Sequence, residues 1–316
     1  MCRIIWVLIV IHCAVGASCA QRASELPFAL KQIGPNLWAA IDNPKATNPA
    51  SANAGFVIGD DGVVVIDTFF SEDAAKQLLA AIRLRTKLPV RYVINTHYHI
   101  DHVAGNSVFA KTGAAVVAQR NVRGWIRSEN LRLIGDFLTP ELKTLTESIA
   151  APSVDYEDAA NLHLGSRAIH VRSFPGHTGG DSIVIIPDAK VAFLGDLFWH
   201  NMLPNLIDAS TRPWVETLDT IAAMNESGYA FVPGHGEIGD GRDVAAFRDY
   251  LATLRTLVAQ ARTQGQSGNT LAESVVPKLK EKFGTWEFAE PLAVMNVLQT
   301  DAEFSGTKRV PPAPTD

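Results

Sequence analysis

His97-Tyr98-His99-Ile100-Asp101-His102 sets three imidazoles and a carboxylate within six residues. An apolar, strand-like run, residues 90–95, precedes it, and the small-residue turn Ala104-Gly105-Asn106 comes after it. Such a cluster repels itself when charged and loses hydration when buried. A bound divalent metal removes both penalties, because neutral imidazole and carboxylate oxygen are its ordinary ligands. Three further polar residues stand where apolar runs end beside glycine. His177 lies in Pro175-Gly176-His177-Thr178-Gly179-Gly180-Asp181, Asp196 follows residues 191–194 through Gly195, and His235 lies in Pro233-Gly234-His235-Gly236 after residues 229–232. Glycine lets the backbone turn sharply and approach a site closely, and strand ends on a rigid sheet are good platforms for ligands.

The rest of the chain limits what such a site can use. Residues 1–20 read as a signal peptide: Arg3 supplies the charged start, residues 4–15 an apolar stretch short for a bilayer, and Ser18-Cys19-Ala20 a cleavage site before Gln21. An uncleaved anchor, or a lipoprotein modified at Cys19, are the alternatives; Gly16 is a poor residue for the latter. The expected location is therefore periplasmic or secreted, with no stable membrane insertion after cleavage. All three cysteines, Cys2, Cys13 and Cys19, fall in that segment, so the mature chain has no thiol for catalysis, disulfides or metal. The net charge of −5 is not segregated into blocks, which disfavours nucleic acid as a partner. A small-molecule substrate is the expected partner; oligomeric state is not readable.

Patterning predicts a strand at 37–41, a loop at 43–53, and a hairpin of 55–59 with 63–67 around Asp60-Asp61-Gly62. A helix capped by Ser71 comes next, then strands at 90–95 and 114–118. Residues 120–149, with Trp125, Phe137 and Leu138, read as a surface helix pair or a mobile apolar lid. Paired strands at 162–171, a hairpin of 182–186 with 191–194, a helix at 214–224 and a strand at 229–232 complete a second, similar half. From Asp243 the spacing of Val244, Phe247, Leu251 and Leu254 is helical to about residue 300. Lys278, Lys280 and Lys282 read as a solvated helix face. The domains expected are a main domain carrying the metal ligands at 21–240, a helical extension at 241–305 and a disordered, proline-rich tail at 306–316. Two such halves suggest an α/β (α+β) architecture of two sheets packed together with helices outside.

His97-x-His99-x-Asp101-His102, followed in order by His177, Asp196 and His235, resembles the ligand pattern of the metallo-β-lactamase superfamily over roughly residues 37–236. The resemblance implies an αββα sandwich of two mixed sheets, with the site at one edge. It assigns His97, His99 and His177 to a first metal, Asp101, His102 and His235 to a second, and Asp196 to both. Asp67 matches a position that hydrogen-bonds near the ligand loop; a plain strand-end cap is its other reading. Two zinc ions are the default, with iron or manganese also suited to these ligands.

Two such metals share a hydroxide and polarise a carbonyl, so the expected reaction is hydrolysis of a small amide or ester by a metal-bridging hydroxide that Asp101 orients. A β-lactam-type substrate is the first candidate. Aspartate at 196, where many true β-lactamases carry cysteine or serine, is shared with lactonases and glyoxalase II-like thioesterases, which are the alternatives. Export and the lack of a basic cluster in the tail weaken the thioesterase reading. Candidate substrate contacts are Tyr98, His200 and Asn201, with Phe198 and Trp199 beside them; each has a plain packing alternative. A reading of another class is a metal-stabilised binding module with no exchangeable water.

Overall fold

The structure is a computed structural model that describes residues 26–224 and 228–313. The expected signal peptide, residues 1–20, lies outside them, and no described helix is long and apolar enough to cross a membrane. The first sheet runs in chain order, β1 (Phe28–Gly34), β2 (Leu37–Asp42), β3 (Ala54–Ile58), β4 (Val63–Ile66), β5 (Val90–Ile94), β6 (Ala115–Gln119) and β7 (Val154–Tyr156). It is antiparallel through β4 and parallel from β4 to β7. The second sheet has the order β12 (Ala230–His235), β11 (Val191–Trp199), β10 (Ser182–Ile186), β9 (Arg167–Ser173), β8 (Ala159–Leu164), with only β11 and β12 parallel. Both sheets are mixed, as the resemblance implies.

β4 shows why the sheets stack. Its four residues are all buried and alternate between two clusters. Val63 and Val65 face outward onto Leu78, Leu79 and Ile82 of helix α1 (Glu72–Arg83). Val64 and Ile66 face inward onto Val184, Ile186 and Phe193 of the second sheet. A period of two on a strand covered on both faces yields this uninterrupted apolar run. Ser71 caps α1 by accepting the Ala74 amide at 3.2 Å, with Glu72 and Asp73 in the favourable first turn.

The outer face of the second sheet, through Ile183, Leu194 and Phe231, packs on one continuous cluster built by four helices. Helix α7 (Thr211–Ala223) gives Trp214 and Leu218, α8 (Gly241–Thr263) gives Val244 and Phe247, α9 (Gly268–Phe283) gives Leu271 and Val275, and α10 (Ala289–Ser305) gives Ala293 and Val297. The helical extension therefore shares its core with the second sheet. Full burial of each such Val, Leu or Phe contributes about 1.5–3 kcal/mol.

Three expectations need correction. The edge strands β1 and β7 lie outside the predicted elements. Strand β11 continues past Leu194 to Trp199, so Asp196 sits within a strand. Residues 306–313 are not free of the fold. The Lys308 ammonium donates to the Leu206 carbonyl at 2.7 Å and to that of Ala209, and the Arg309 guanidinium meets both Glu129 oxygens at 2.8 Å. The Trp125 indole N–H donates to the Pro312 carbonyl at 2.8 Å. Proline content sets the chain's stiffness but leaves its carbonyls available, and the Trp125 indole takes that of Pro312.

The stretch 120–149 forms helices α4 (Arg120–Trp125), α5 (Ser128–Ile134) and α6 (Pro140–Ser148). Asn130 fastens it by donating to the Tyr98 carbonyl at 2.6 Å, and Arg127 by donating to the Ile149 carbonyl at 2.9 Å.

Candidate metal centre

The cluster grows out of the buried strand β5. After Asn95 and Thr96 the chain leaves the sheet, and His99 is the N-cap residue of the one-turn helix α2 (Ile100–Val103). That turn brings Asp101 and His102 round beside His97. A polar clamp closes the loop: Asn95 and Asn106 exchange amide hydrogen bonds of 3.0 and 2.8 Å, and the Thr68 hydroxyl donates to Asn106 at 3.0 Å. All three are buried, so the loop geometry is fixed from within.

Asp67 holds the loop from β4's end. It accepts the Thr96 amide at 2.8 Å and hydroxyl at 2.7 Å, and its Oδ2 lies 2.9 Å from His102 Nδ1. His102 is thereby oriented with Nε2 toward Asp196, as ligand orientation by an outer carboxylate requires. His177 sits in a loop shaped by buried Asp181, which accepts the Thr178 amide at 2.6 Å and also its hydroxyl. Burial pushes the Asp181 carboxyl up to about 8. Glycine is required where the strands converge. Gly195 has φ +51° and a Cβ there would lie 2.4 Å from Thr96 Oγ1, while a Cβ on Gly234 would lie 1.9 Å from Asp196 Oδ1.

Seven side chains meet in two groups, His97, His99, His177 and Asp196 in one, and Asp101, His102 and His235 in the other. In the first, His177 Nε2 is 3.0 Å from His99 Nδ1 and 3.2 Å from Asp196 Oδ2, and His97 Nε2 is 3.7 Å from that same oxygen. In the second, Asp196 Oδ1 is 3.1 Å from His102 Nε2 and 3.3 Å from His235 Nε2, and Asp101 Oδ2 is 3.4 Å from His235 and 3.6 Å from His102. Donors around a tetrahedral ion with bonds of about 2.1 Å stand about 3.4 Å apart, so both groups fit a divalent metal. His97 Nε2, His102 Nε2, His235 Nε2 and Asp196 Oδ1 are buried without a hydrogen-bond partner, a costly state that a metal relieves.

Electrostatics distinguishes the groups. Burial, with His102 and the other rings adding to it, holds His97 well below the usual imidazole range; burial likewise lowers His177. Both stay neutral and ready to ligate. Burial also opposes charge on His102 and His235, but Asp196 and Asp101 outweigh it and raise both. A metal taking these nitrogens displaces protons. Asp196 is held well below the carboxylate range: burial opposes this, and the four surrounding histidines, His235 first, outweigh it.

Several contributors carry no sequence signal. Asp208, in the loop before α7, lies 3.8 Å from His99 Nε2, too far for a hydrogen bond but close for charge. It accepts the Tyr98 hydroxyl at 2.6 Å and the Arg132 guanidinium at 2.7 Å on both oxygens. Burial opposes its charge, yet His99, Tyr98 and Arg132 hold its carboxyl far below the usual range. Arg132 and Arg309 both pair with buried Glu129, so the network reaches the C-terminal segment. Asn53 crosses to the second sheet, donating to the Pro233 and Gly236 carbonyls at 2.9 and 2.8 Å around His235, while its own amide donates to Gly234 at 2.8 Å.

Of the candidate substrate contacts, Tyr98 is fully buried and its hydroxyl is committed to Asp208, so it supports His99's surroundings. His200 Nδ1 lies 2.7 Å from the Glu237 carbonyl, and Nε2 lies 3.5 Å from Asp243. Asn201 is exposed with φ 57°, and its carbonyl accepts the Glu287 amide. The open side of the centre is marked by Asp101, whose side chain is 24% exposed, and His235 at 13%; the other five are at 9% or less.

Residues 47–235 match the family model described as the metallo-beta-lactamase superfamily. A metallo-beta-lactamase type 2 of Bacillus cereus is 23% identical over 67% of this chain and 78% of its own length. A hydroxyacylglutathione hydrolase of Mesorhizobium japonicum is 30% identical over 46% of this chain and 49% of its own. Among solved structures, a metallo-beta-lactamase from Pontibacter korlensis superposes with a TM-score of 0.59 at 22% identity, covering 71% of this chain and 99% of that one.

Proposed function

The chain belongs to the metallo-β-lactamase superfamily, and from that premise we propose that it is an exported, zinc-dependent hydrolase that opens the carbonyl of a small amide or ester with two metals. Asp196 carries this reading: its two carboxylate oxygens face different ligand groups, Oδ2 toward His97 and His177, Oδ1 toward His102 and His235. Two divalent metals, when bound, supply an acidified water and a Lewis acid for the carbonyl oxygen. His97, His99 and His177 would hold one, Asp101, His102 and His235 the other.

The protein's own part is positioning and proton handling. Asp101 is the ligand most open to solvent. It orients the attacking water and takes its proton as the water oxygen bonds to the carbonyl carbon. The same proton passes to the leaving nitrogen or oxygen when its bond to that carbon breaks. Export is supported by the charged and apolar sequence of residues 1–20, and zinc by an all-histidine and carboxylate ligand set.

A β-lactam is the first substrate to test, supported by the likeness to the Bacillus cereus protein; a lactone or a thioester is the second reading, supported by Asp196 and the hydroxyacylglutathione hydrolase likeness. The test is turnover of nitrocefin, a homoserine lactone and an acyl thioester before and after chelation. At least one is hydrolysed, chelation abolishes it, and Asp101→Ala loses turnover while keeping the wild-type circular dichroism spectrum. Metal-loaded protein inert toward all three defeats the proposal.

A further inference from the structure

The turn between α9 and α10 packs on the residues that follow β11, beside Trp199 and His235. Three backbone features fix that turn on the residues after β11. The Glu287 amide donates to the Asn201 carbonyl at 3.0 Å, the Leu203 amide donates to the Glu287 carbonyl at 3.0 Å, and Met202 and Glu287 form a parallel bridge. The next residue, Phe288, is held at φ 61°, a left-handed conformation that is rare for an aromatic residue. Its side chain is not taken into the core: Phe288 is 41% exposed. Its ring meets Trp199 edge to face with centroids 6.5 Å apart. Trp199 in turn stacks on the metal ligand His235 at 4.0 Å. A strained backbone presenting an exposed ring, braced by hydrogen bonds to the residues that continue the strand of Asp196, is strain retained for a purpose other than packing.

We propose that Phe288, backed by the buried Trp199, forms an aromatic wall at the mouth of the centre, on the side of His235, and that Phe288 determines specificity by seating an apolar alkyl or aryl substituent of the substrate. This rests on the hydrolase reading and narrows its substrate class to amides or esters whose acyl group carries such a substituent. The family-model match ends at residue 235, so Phe288 belongs to this chain's extension and not to the matched region. Buried methylenes favour binding additively, and a wall that a growing chain slides along converts length into kcat/KM.

The test uses the metal-loaded full chain and p-nitrophenyl acetate, butyrate, hexanoate and octanoate. For wild type, kcat/KM rises about fourfold per methylene placed on the wall. Phe288→Asn keeps a residue suited to the left-handed turn and removes the ring; it flattens the slope, and most of the loss is in KM. Phe288→Leu restores part of it. Val294→Ala, exposed on α10, keeps the wild-type slope. Thermal melts confirm that each variant folds. An unchanged slope in Phe288→Asn, or no chain-length dependence in wild type, overturns the wall. Binding of the free alkanoates, followed by calorimetry, separates the two proposals. If no ester turns over but alkanoate affinity still rises with length and falls in Phe288→Asn, the hydrolase reading fails and the wall stands. Neither turnover nor length-dependent binding overturns both.

Discussion

Replacing Gly234 with alanine is a sharp test of the shared carboxylate. The added Cβ would lie 1.9 Å from Asp196 Oδ1, 2.8 Å from the Gly195 carbonyl carbon and 2.9 Å from the Asp196 amide nitrogen, whereas real Cβ contacts stay beyond 3.0 Å. Two of these neighbours are backbone inside β11, so the carboxylate must give way, by about 1 Å. Metal ligand distances tolerate about 0.2 Å. Oδ1 is the oxygen that faces His102 and His235, while Oδ2 faces His97 and His177. The second group loses its shared donor first. The expected result is that Gly234→Ala binds one metal near wild-type affinity and the other at least about 100-fold more weakly, since even outer ligand supports are worth 10–100-fold. Stability of the metal-free protein falls by about 1–3 kcal/mol from overpacking. Competition titration with a chromophoric chelator counts both metals, and urea unfolding of the metal-free form isolates the fold. A variant that holds two metals at wild-type affinity refutes the placement of Asp196.

Three further outcomes concern other residues. Asp208→Asn keeps an acceptor for Tyr98 but loses the charge facing His99, and lowers affinity at the site of His97, His99 and His177 by about 10–100-fold in the same titration. Asn53→Ala strips donors from the Pro233 and Gly236 carbonyls and lowers stability by about 1–3 kcal/mol, with weaker binding at the His235 site; an unchanged urea midpoint would show that the cross-sheet tie is idle. Glu129 is pushed up by burial but lowered more strongly by Arg309 and Arg132, so its carboxyl is held below the usual carboxylate range. A depressed carboxyl stabilises the fold above its unfolded pKa and loses that contribution as pH falls through the folded value. Glu129→Gln is therefore less stable than wild type by about 1–3 kcal/mol near pH 7, discounted for two half-exposed arginines, and the gap closes below about pH 4 in urea melts.

The sandwich and the ligand groups were legible because their signals are local. Each ligand sits beside glycine or in the six-residue cluster, and β4 and α1 announce themselves by periods of two and 3.6. What was not legible depends on pairs far apart in sequence. Asp208, the Glu129 and Arg132 pair of α5, and Arg309 come from three separate segments and look like ordinary surface charges until the fold gathers them. Asn53 lies in a loop whose composition predicts only a turn. β1 buries little beyond Phe28 and β7 has no fully buried residue, so neither shows strand alternation. For His200, proximity in sequence to Asp196 says nothing of where a ring's nitrogens point; Nδ1 meets the Glu237 carbonyl and Nε2 lies 3.5 Å from Asp243 of α8.

The fastening of Lys308, Arg309 and Pro312 onto Leu206, Glu129 and Trp125 has a consequence for the order of assembly. Arg309, which is made about two hundred residues after His99, helps to complete the charge network behind it. A nascent or truncated chain ending before Lys308 has the candidate ligands but lacks part of their bracing, so firm metal retention is expected only of a chain that extends past Arg309.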